Sequence, residues 1–250
     1  MSEAAATKTA KVALITGANK GIGLETARQL GALGITVLVG ARVLEKGEAA
    51  AAELKREGID ARAIKLDVVD AGDRKAAVEG IGRNFGRLDI LVNNAAINLD
   101  QGAAVETSTT PAKTLQDTFE TNFFALVELT QMLLPLIRNS ASGRIVNVSS
   151  SQGSLSLLAP KGSQIYATKT FSYDASKSAL NSFTLHLAHE LQGTKIKVNS
   201  IHPGWVRTDM GGPHATLGLV DGAKTSVRLA TLPDDGPTGG YFHLNESLPW

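Results

Sequence analysis

Short runs of apolar residues alternate along the chain with longer stretches in which apolar residues recur every three or four positions. The short runs are typical of buried strands, and the periodic stretches are typical of amphipathic helices. The first pattern predicts strands over residues 12–16, 35–39, 61–66, 88–92, 144–148 and 196–201, and a short last strand over 239–244. The second predicts helices over residues 24–33, 45–57, 73–85, 114–138 and 173–191. Pro135 falls inside the fourth helix, where we expect it to kink or stop the helix.

Strands that alternate with helices pair in parallel, and right-handed crossovers place the helices on both faces of one sheet. The sequence therefore predicts an α/β fold, a doubly wound parallel sheet in a single domain over residues 1–250. Three stretches without a regular pattern, 97–111, 152–170 and 208–223, each follow a predicted strand. Ligands bind beyond the carboxyl ends of the strands in an open parallel sheet, so we expect these stretches to border a binding site.

A glycine-rich turn joins the first predicted strand to the first predicted helix, with glycines at positions 17, 21 and 23. Glycine permits a tight turn and lets the backbone approach a pyrophosphate at the amino end of the helix. The spacing G-x-x-x-G-x-G is not the common G-x-G-x-x-G fingerprint, and such a turn could serve packing alone. Its place between a strand and a helix favours dinucleotide binding, as in a Rossmann-type sheet.

The residues after the second strand bear on the choice of dinucleotide. An NAD site places an acid near this point, whereas an arginine accommodates the 2′-phosphate of NADP. Between Gly23 and Arg42 the only acid is Glu25, inside the first helix. Arg42 and Lys20 are each plausible as ordinary surface cations, but together with the missing acid they predict NADP(H). The double substitution Ala41→Asp with Arg42→Ala is then expected to shift preference toward NADH.

Tyr173 and Lys177 stand four residues apart, so they share one face of the predicted fifth helix. A neighbouring ammonium favours a phenolate, and we expect Lys177 to lower the pKa of the Tyr173 phenol toward neutrality. Taken alone, the pair is more typical of an exposed helical turn with a solvated lysine. Tyr166 is a rival phenol, but Thr170 rather than a lysine occupies the equivalent position. The pair therefore becomes a candidate acid–base group only with support from elsewhere in the chain.

Composition excludes several classes of function. Of the 250 residues, 43% are hydrophobic and 20% are charged, with a net charge of +1, which gives no general attraction to nucleic acid or membranes. The chain has no cysteine, which excludes disulfides and thiolate metal sites and is compatible with a reducing compartment. His186 and His189 share a helix face, but no third ligand accompanies them, so we expect no metal site.

The amino-terminal residues show no apolar segment of the kind found in a signal peptide. No run in the chain approaches the roughly 20 apolar residues that a membrane-spanning helix requires. We therefore expect a cytoplasmic protein in which residues 1–10 form a flexible tail.

Taken in order, the motifs of the chain resemble those of the short-chain dehydrogenase/reductase family, over nearly the whole length from about residue 11. The matching motifs are Thr16-Gly17-x-x-x-Gly21-Ile22-Gly23, Asn93-Asn94-Ala95, Asn122, Ser150 with Gly153, Tyr173-x-x-x-Lys177 and Pro203-Gly204. The stretch Pro203-Gly204-Trp205-Val206-Arg207-Thr208-Asp209-Met210 is most similar to the carbonyl reductase branch. Several motifs in register are specific, although none of them is so by itself.

The resemblance implies a role for each matched residue. Tyr173 would protonate the carbonyl oxygen, Lys177 would lower the tyrosine pKa and hold the nicotinamide ribose, and Ser150 would hydrogen-bond the substrate oxygen. Asn122 would kink its helix and hold a water that relays protons to Lys177. The implied catalytic residues are thus Asn122, Ser150, Tyr173 and Lys177. The expected cofactor contacts are Gly17, Asn19, Lys20, Gly21, Ile22, Gly23, Arg42, Asp67, Val68, Asn93, Ala95, Tyr173, Lys177, Pro203, Gly204, Val206 and Thr208. Among these, Asp67 and Val68 would contact adenine, Asn93 would also support the sheet, and Val206 and Thr208 would touch the carboxamide.

The chain departs from the family pattern at two places. Ala96 stands where the family usually has glycine, and the 22 residues between Ser150 and Tyr173 exceed the usual spacing. We expect this insertion, residues 152–172, to fold back beside the Tyr173 helix and to border the substrate pocket. It would also shield the helix face through which family members pair. A monomer is then favoured, with a homodimer and a homotetramer left open.

Together with the predicted NADP(H) site, the resemblance implies an NADPH-dependent oxidoreductase that reduces a ketone or aldehyde to an alcohol, or catalyses the reverse reaction. The alternative is a catalytically silent sensor or scaffold that binds the dinucleotide on the same fold. A substrate pocket with a largely apolar wall is suggested by Leu155, Leu157, Leu158, Trp205 and Met210. The substrate expected is a small molecule, with no nucleic acid or membrane partner.

Overall fold

An eight-stranded sheet forms the centre of the computed structural model, which describes residues 10–100, 106–163 and 165–250. The strands are β1 Val12–Ile15, β2 Thr36–Ala41, β3 Ala61–Lys65, β4 Ile90–Asn93, β5 Arg144–Val148, β6 Lys197–Ile201, β7 Tyr241–His243 and β8 Glu246–Ser247. Their order is β3-β2-β1-β4-β5-β6-β7-β8, and every neighbouring pair is parallel except β7 with β8. The predicted parallel sheet is thus confirmed, with one short antiparallel strand added at its edge.

Eight α-helices surround the sheet in the described residues. They are α1 Gly21–Ala32, α2 Leu44–Arg56, α3 Ala71–Phe85, α4 Ala112–Phe119, α5 Ala125–Arg138, α6 Leu155–Leu158, α7 Phe171–Glu190 and α8 Leu219–Ala230. Because successive strand residues face opposite sides, Ile15 and Val39 pack with α1, α2 and α8, while Leu14 and Leu38 pack with α3, α5 and α7. The expectation of helices on both faces is therefore confirmed.

The predicted helix over residues 114–138 is interrupted, but not by its proline. A π-helical turn, Glu120–Phe124, separates α4 from α5. Pro135 lies within α5, which continues to Arg138, so of the predicted kink or stop at this residue the stop is wrong. Proline removes a single backbone donor, and this helix has only three residues left to form beyond it.

Helix α8 was not predicted, because the stretch 208–223 reads as irregular. Its sequence includes glycine, threonine, serine and valine, which are weak helix formers. The helix forms where Leu229 and Ala230 are buried in the same core cluster as Leu30 of α1. The Gln29 side chain also donates to the Val220 carbonyl at 3.0 Å. Tertiary packing thus overrides local propensity here.

The insertion folds into short helical turns beside the beginning of α7 and the end of the chain. The Ser154 hydroxyl donates to the Pro249 carbonyl at 2.7 Å, and the Ser156 N–H donates to the Trp250 carbonyl at 3.1 Å. Gln152 Nε2 donates to the Thr168 carbonyl at 2.6 Å, which joins the two ends of the segment. The segment is therefore anchored, while its effects on self-association and on the substrate pocket stay predictions.

Residues 1–9, most of the expected tail, lie outside the described residues, as do 101–105 of the stretch 97–111. No helix in the described part of the chain is long and apolar enough to cross a membrane. Within the same residues there is no group of three or more His, Cys, Asp or Glu side chains that could hold a metal ion.

Candidate active site

The glycine-rich turn between β1 and α1 is tied to the end of β4. Thr16 Oγ1 accepts hydrogen bonds from the backbone N–H groups of Asn94 and Ala95, both at 2.9 Å. The Asn94 side chain donates to the Thr16 carbonyl at 2.8 Å. A Cβ atom at Gly23 would lie 2.6 Å from Asn94 Nδ2 and 2.7 Å from the Gly17 carbonyl oxygen. Glycine is therefore needed at position 23 for α1 to approach the turn this closely.

The amino end of α1 is suited to an anion. Its N-cap residue, Lys20, makes no capping hydrogen bond with its side chain, and the first turn contains no acidic residue. The first N–H groups of a helix lack intrahelical partners and lie at the positive end of its dipole. Gly17 and Gly21, with φ of +64° and +61°, present backbone alone on this side of the turn. These residues fit the pyrophosphate of a dinucleotide.

Apart from Tyr173 and Lys177 on α7, the residues expected to contact the cofactor lie at or just beyond the carboxyl ends of strands of the sheet. The predicted residues are Gly17, Asn19, Lys20, Gly21, Ile22 and Gly23 after β1, Arg42 after β2, Asp67 and Val68 after β3, Asn93 and Ala95 at the end of β4, and Pro203, Gly204, Val206 and Thr208 after β6. The β6 loop meets the glycine-rich turn, since a Cβ at Gly21 would lie 3.7 Å from Thr208 Cγ2. The structure thus brings the predicted contacts to one edge of the sheet.

A cleft of about 490 Å³ opens between the glycine-rich turn and α2. Its lining includes the cations Lys20, Lys46 and Arg56 and one acid, Glu53. The ammonium of Lys20 is not free, because it pairs with Asp209 at 2.5 Å. Both side chains are largely exposed, so the pair adds little stability. It nevertheless places a competing carboxylate beside a cation that the sequence assigns to the cofactor.

Arg42 is exposed and makes no hydrogen bond or ion pair with the described residues. Its guanidinium is therefore available to a phosphate, which it can bind with two parallel N–H groups. Ala41 differs, because it is fully buried and faces α2, where a Cβ at Gly47 would lie 2.9 Å from its own Cβ. A carboxylate introduced at position 41 would carry a desolvation cost, while the expected shift toward NADH in the double substitution Ala41→Asp with Arg42→Ala stays a prediction.

Helix α7 places Tyr173 and Lys177 against the end of β5, and both side chains are buried. Lys177 Nζ lies 5.6 Å from the centre of the Tyr173 ring and donates to the Val148 carbonyl at 2.8 Å. The Ser150 hydroxyl hydrogen-bonds with the Tyr173 hydroxyl. A Cβ at Gly153 would lie 2.8 Å from Lys177 Cβ, so glycine there permits α7 to approach Ser150. The structure therefore assembles the predicted serine, tyrosine and lysine into one cluster.

Burial dominates the ionisation of this cluster. It raises the pKa of Tyr173 to about 12, opposed by the hydrogen bond with Ser150 and assisted by the negative charge of Asp174. Burial also lowers the pKa of Lys177 to about 7. The expectation that Lys177 brings the Tyr173 pKa down toward neutrality is wrong for this arrangement. Removing both groups from water disfavours the charged form of each, and this cost exceeds their mutual attraction.

Asn122 lies inside the π-helical turn and is fully buried. Its Oδ1 accepts from the Ile97 N–H at 2.9 Å, and its Nδ2 donates to the Ile97 carbonyl at 2.8 Å and to Ser176 Oγ at 3.1 Å. The helix is irregular at the position where the sequence predicts a kink. Asn122 thereby joins the loop after β4 to the residue that precedes Lys177. Its role in holding a water remains a prediction.

Asn93 belongs to a buried polar network that crosses the sheet. Its Nδ2 donates to Asn147 Oδ1 at 2.9 Å and to Thr130 Oγ1 at 3.0 Å. Asn147 in turn donates to Thr184 Oγ1 at 2.8 Å. The network links β4, β5, α5 and α7, which accords with the expected support of the sheet by Asn93. The other members escaped sequence analysis because their partners are 37 or more residues apart in the chain.

Sequence analysis also missed the roles of two buried carboxylates at the amino end of α7. Asp100 accepts from the Ser172 N–H at 2.7 Å and from its hydroxyl, so a distant loop caps the helix. Asp174 accepts from the N–H and hydroxyl of Thr170 at 3.2 and 3.0 Å. Burial raises the pKa of Asp174 to about 6, and the charge of Asp100 adds to this effect. Asp174 follows Tyr173 directly in the chain, whereas only the tertiary structure brings Asp100 to Ser172, the residue before Tyr173.

His202 and Tyr241 are further residues near the cluster of Ser150, Tyr173 and Lys177. His202 Nδ1 accepts from the Ser151 N–H at 3.1 Å, next to Ser150. Tyr241 is buried beneath the ring of Trp250, with stacked centroids 5.4 Å apart, and its hydroxyl makes no hydrogen bond with the described residues. Burial and the nearby Tyr173 raise the pKa of Tyr241. A clue in the sequence was the position of His202 directly before Pro203-Gly204.

The residues proposed as an apolar wall are only partly buried. Leu155 is 67% exposed and Trp205 is 53% exposed. Trp205 is held in place by a hydrogen bond from its indole N–H to the Gly211 carbonyl at 2.8 Å. Such exposed apolar groups are compatible with the edge of a pocket as well as with ordinary surface, so the wall remains a prediction.

Comparison with known proteins extends these observations. The family model for short chain dehydrogenase matches residues 11–216. Carbonyl reductase [NADPH] 1 of Sus scrofa is 33% identical over 278 residues, which cover 96% of this chain and 94% of the relative. The protein of the same name from Homo sapiens is 35% identical over 279 residues, covering 96% and 98% of the two chains.

Among solved structures, the NADPH-bound carbonyl reductase from chicken fatty liver superimposes with a TM-score of 0.82 and 26% sequence identity. The superposition covers 96% of this chain and 99% of the chicken protein. The family match includes the glycine-rich turn, Ser150, Tyr173 and Lys177. The chain therefore belongs to the short-chain dehydrogenase/reductase family.

Proposed function

We propose that the protein is an NADP(H)-dependent oxidoreductase that reduces a ketone or aldehyde to an alcohol, or catalyses the reverse, with Tyr173 as proton donor. The observation that carries the proposal is the buried cluster of Ser150, Tyr173 and Lys177 at the sheet edge that also holds the uncapped amino end of α1. The names of the similar proteins, carbonyl reductases that use NADPH, support the same assignment.

The cofactor supplies or accepts the hydride, and the protein holds it beside the substrate. The amino end of α1 and the backbone of the glycine-rich turn would bind the pyrophosphate. Arg42, free of ion pairs within the described residues, would bind the 2′-phosphate. Lys177 would hold the ribose next to the nicotinamide. Together these residues would hold the cofactor at the sheet edge that also carries Tyr173 and Ser150.

Tyr173 donates its hydroxyl proton to the substrate oxygen as that oxygen gains negative charge. With a pKa raised to about 12, the phenol is fully protonated at neutral pH. A developing alkoxide is more basic than a phenolate, so proton transfer remains favourable despite the raised pKa. In the reverse reaction the same pKa is a disadvantage, because the phenolate needed as a base is scarce. At neutral pH Tyr173 is therefore almost entirely in the protonated form that reduction requires.

Ser150 and Lys177 assist Tyr173 in donating its proton. The Ser150 hydroxyl, which hydrogen-bonds with Tyr173 in the protein alone, would donate its single proton to the substrate oxygen and so stabilise negative charge where it develops. When Lys177 is protonated, its ammonium stabilises the tyrosinate left after proton transfer. Asn122, joined to Ser176 at 3.1 Å, would hold the water through which Lys177 exchanges protons with solvent. Each group thus acts on one proton path that ends at Tyr173 Oη.

The test is the Tyr173→Phe variant, assayed with a panel of ketones and aldehydes by the loss of NADPH absorbance. The change removes a hydroxyl and leaves the buried ring in place, so folding and NADPH binding should persist. Turnover should fall by about 10² to 10⁴, which is the usual value of a positioned proton donor. Fluorescence titration with NADPH measures binding independently of turnover.

Tyr166→Phe is the matched control, because Tyr166 is a partly exposed phenol in contact with Lys169, outside the cluster. It should retain full activity. Near-normal turnover in Tyr173→Phe would contradict the assignment of the proton donor. A parent protein that binds NADPH but reduces no carbonyl in the panel would instead favour the silent sensor.

A further inference from the structure

His202 follows the end of β6 and joins the two loops that flank the catalytic cluster. Its Nδ1 accepts a hydrogen bond from the Ser151 N–H at 3.1 Å, and Pro203 follows it directly in the chain. A ring nitrogen that accepts from an N–H carries no proton itself. In a neutral imidazole the proton must then be on Nε2. The contact with Ser151 therefore makes Nε2 of His202 a donor.

The neighbouring His243 has the opposite tautomer. Its Nδ1 lies 2.9 Å from the His202 carbonyl oxygen, which can only accept, so His243 Nδ1 is the donor. The two rings are 5.1 Å apart and tilted by 43°. Burial, followed by the proximity of His243, lowers the pKa of His202 to about 3. The His202 ring is thus neutral, with its single N–H at Nε2.

This N–H is not used within the protein. In the part of the chain that the structure describes, His202 Nε2 has no hydrogen-bond partner, and it is not among the fully buried polar atoms that lack one. The side chain is deep enough for burial to suppress its charge, yet it remains partly exposed. A donor that is deep and also accessible is typical of a group lining a cleft.

We propose that the Nε2–H of His202 donates a hydrogen bond to a second oxygen of the substrate, beyond the carbonyl that is reduced. This inference rests on the proposed function and adds a specificity-determining residue to it. The ring that carries this donor is held by the N–H of Ser151, the residue next to Ser150, whose hydroxyl would bind the reacting oxygen. It therefore selects carbonyl compounds that carry another acceptor oxygen near the ketone, such as keto esters, over simple ketones.

Two substitutions distinguish the roles of the two ring nitrogens of His202. In His202→Asn the short side chain can still offer an oxygen to the Ser151 N–H, but it has no donor at the place of Nε2. In His202→Gln the longer side chain carries an amide N–H close to the place of Nε2 and loses the contact with Ser151. If the proposal is correct, the preference of the enzyme for substrates with a second oxygen is kept in the variant that retains a donor at the place of Nε2, and not in the variant that retains only the contact with Ser151.

The experiment compares a keto ester with a simple ketone of equal chain length, using the full chain and saturating NADPH. The measured quantity is the ratio of kcat/KM for the two substrates. In His202→Asn this ratio should fall about tenfold, the usual value of one lost hydrogen bond, mainly through KM for the keto ester. In His202→Gln it should recover toward that of the parent.

A ratio that stays unchanged in His202→Asn would overturn the proposal, because the histidine would then act only through Ser151 or the cofactor. A ratio that falls equally in both variants would overturn it too, because the effect would follow the Ser151 contact. Failure of the parent to oxidise NADPH with any carbonyl of the panel, these two substrates included, would refute the proposed function, which is a distinct outcome. Fluorescence titration with NADPH separates a loss of cofactor binding from a loss of substrate binding.

Discussion

Arg42 is the residue on which the choice between NADPH and NADH should depend most. It is exposed and has no ion pair with the described residues, so Arg42→Ala removes a cation without disturbing the fold. Lys20, the other predicted phosphate ligand, is engaged by Asp209 at 2.5 Å and is expected to contribute less. The perturbation therefore isolates a single guanidinium.

A charge-assisted hydrogen bond contributes about 1.5–3 kcal/mol to binding. Its loss in Arg42→Ala should lower kcat/KM for NADPH by about tenfold to somewhat over a hundredfold. NADH has no 2′-phosphate, so its kcat/KM should change little. Arg42→Asp should lower the value for NADPH further through charge repulsion and raise that for NADH, because the carboxylate can accept from the ribose 2′-hydroxyl.

Initial rates with each dinucleotide and one accepted carbonyl substrate give the two values of kcat/KM. Arg83→Ala is the matched control, since Arg83 is an exposed cation on α3 that pairs with Glu79 and lies outside the cofactor edge. An NADPH-to-NADH ratio in Arg42→Ala equal to that of the parent would refute the reasoning. The 2′-phosphate would then be bound by other cations of the cleft, such as Lys46.

Other predictions address the turn, the ionisable pair and the insertion. Gly23→Ala places a methyl group 2.6 Å from Asn94 Nδ2. We expect the free energy of unfolding, measured in urea, to fall by about 1–3 kcal/mol and NADPH binding to weaken. An unchanged unfolding midpoint would contradict this. Because the pKa of Tyr173 is raised to about 12, alcohol oxidation should accelerate as pH rises from neutral while the phenol stays largely protonated, and a flat profile would argue against a tyrosinate base. The pKa of Lys177 is lowered from 10.5 to about 7 in the folded protein, so between these pH values the unfolded chain binds more protons than the folded one and the free energy of unfolding should rise with pH. Lys177→Met should remove this rise, measured as the urea midpoint at several pH values. If the rise persists in the variant, it belongs to other groups. Sedimentation velocity should show a monomer for the parent, with association appearing when residues 155–170 are shortened, whereas a tetrameric parent would refute shielding by the insertion.

Local sequence patterns were sufficient for most of the scaffold. β5 begins and ends where the apolar run predicts, and α2 differs from its predicted bounds by a single residue at each end. These elements are long or flanked by clear signals, so local periodicity reflects the face that they bury. α8 was missed for the opposite reason, because weak helix formers adopt a helix there only when packed against α1.

The sequence by itself determined the parallel α/β sheet, the glycine-rich turn and the spacing of Tyr173 and Lys177 on one helix face. These features follow from local periodicity and from residue types with few structural roles. Only the tertiary structure decided which ionisable groups are buried and in which direction their pKa values shift, and the direction for Tyr173 is the reverse of the expected one. It alone showed that Ala41 is buried, that Asp209 engages Lys20 and that Ser151 sets the tautomer of His202. Burial, charge pairing and tautomer depend on residues far apart in the chain, and their proximity is created by folding.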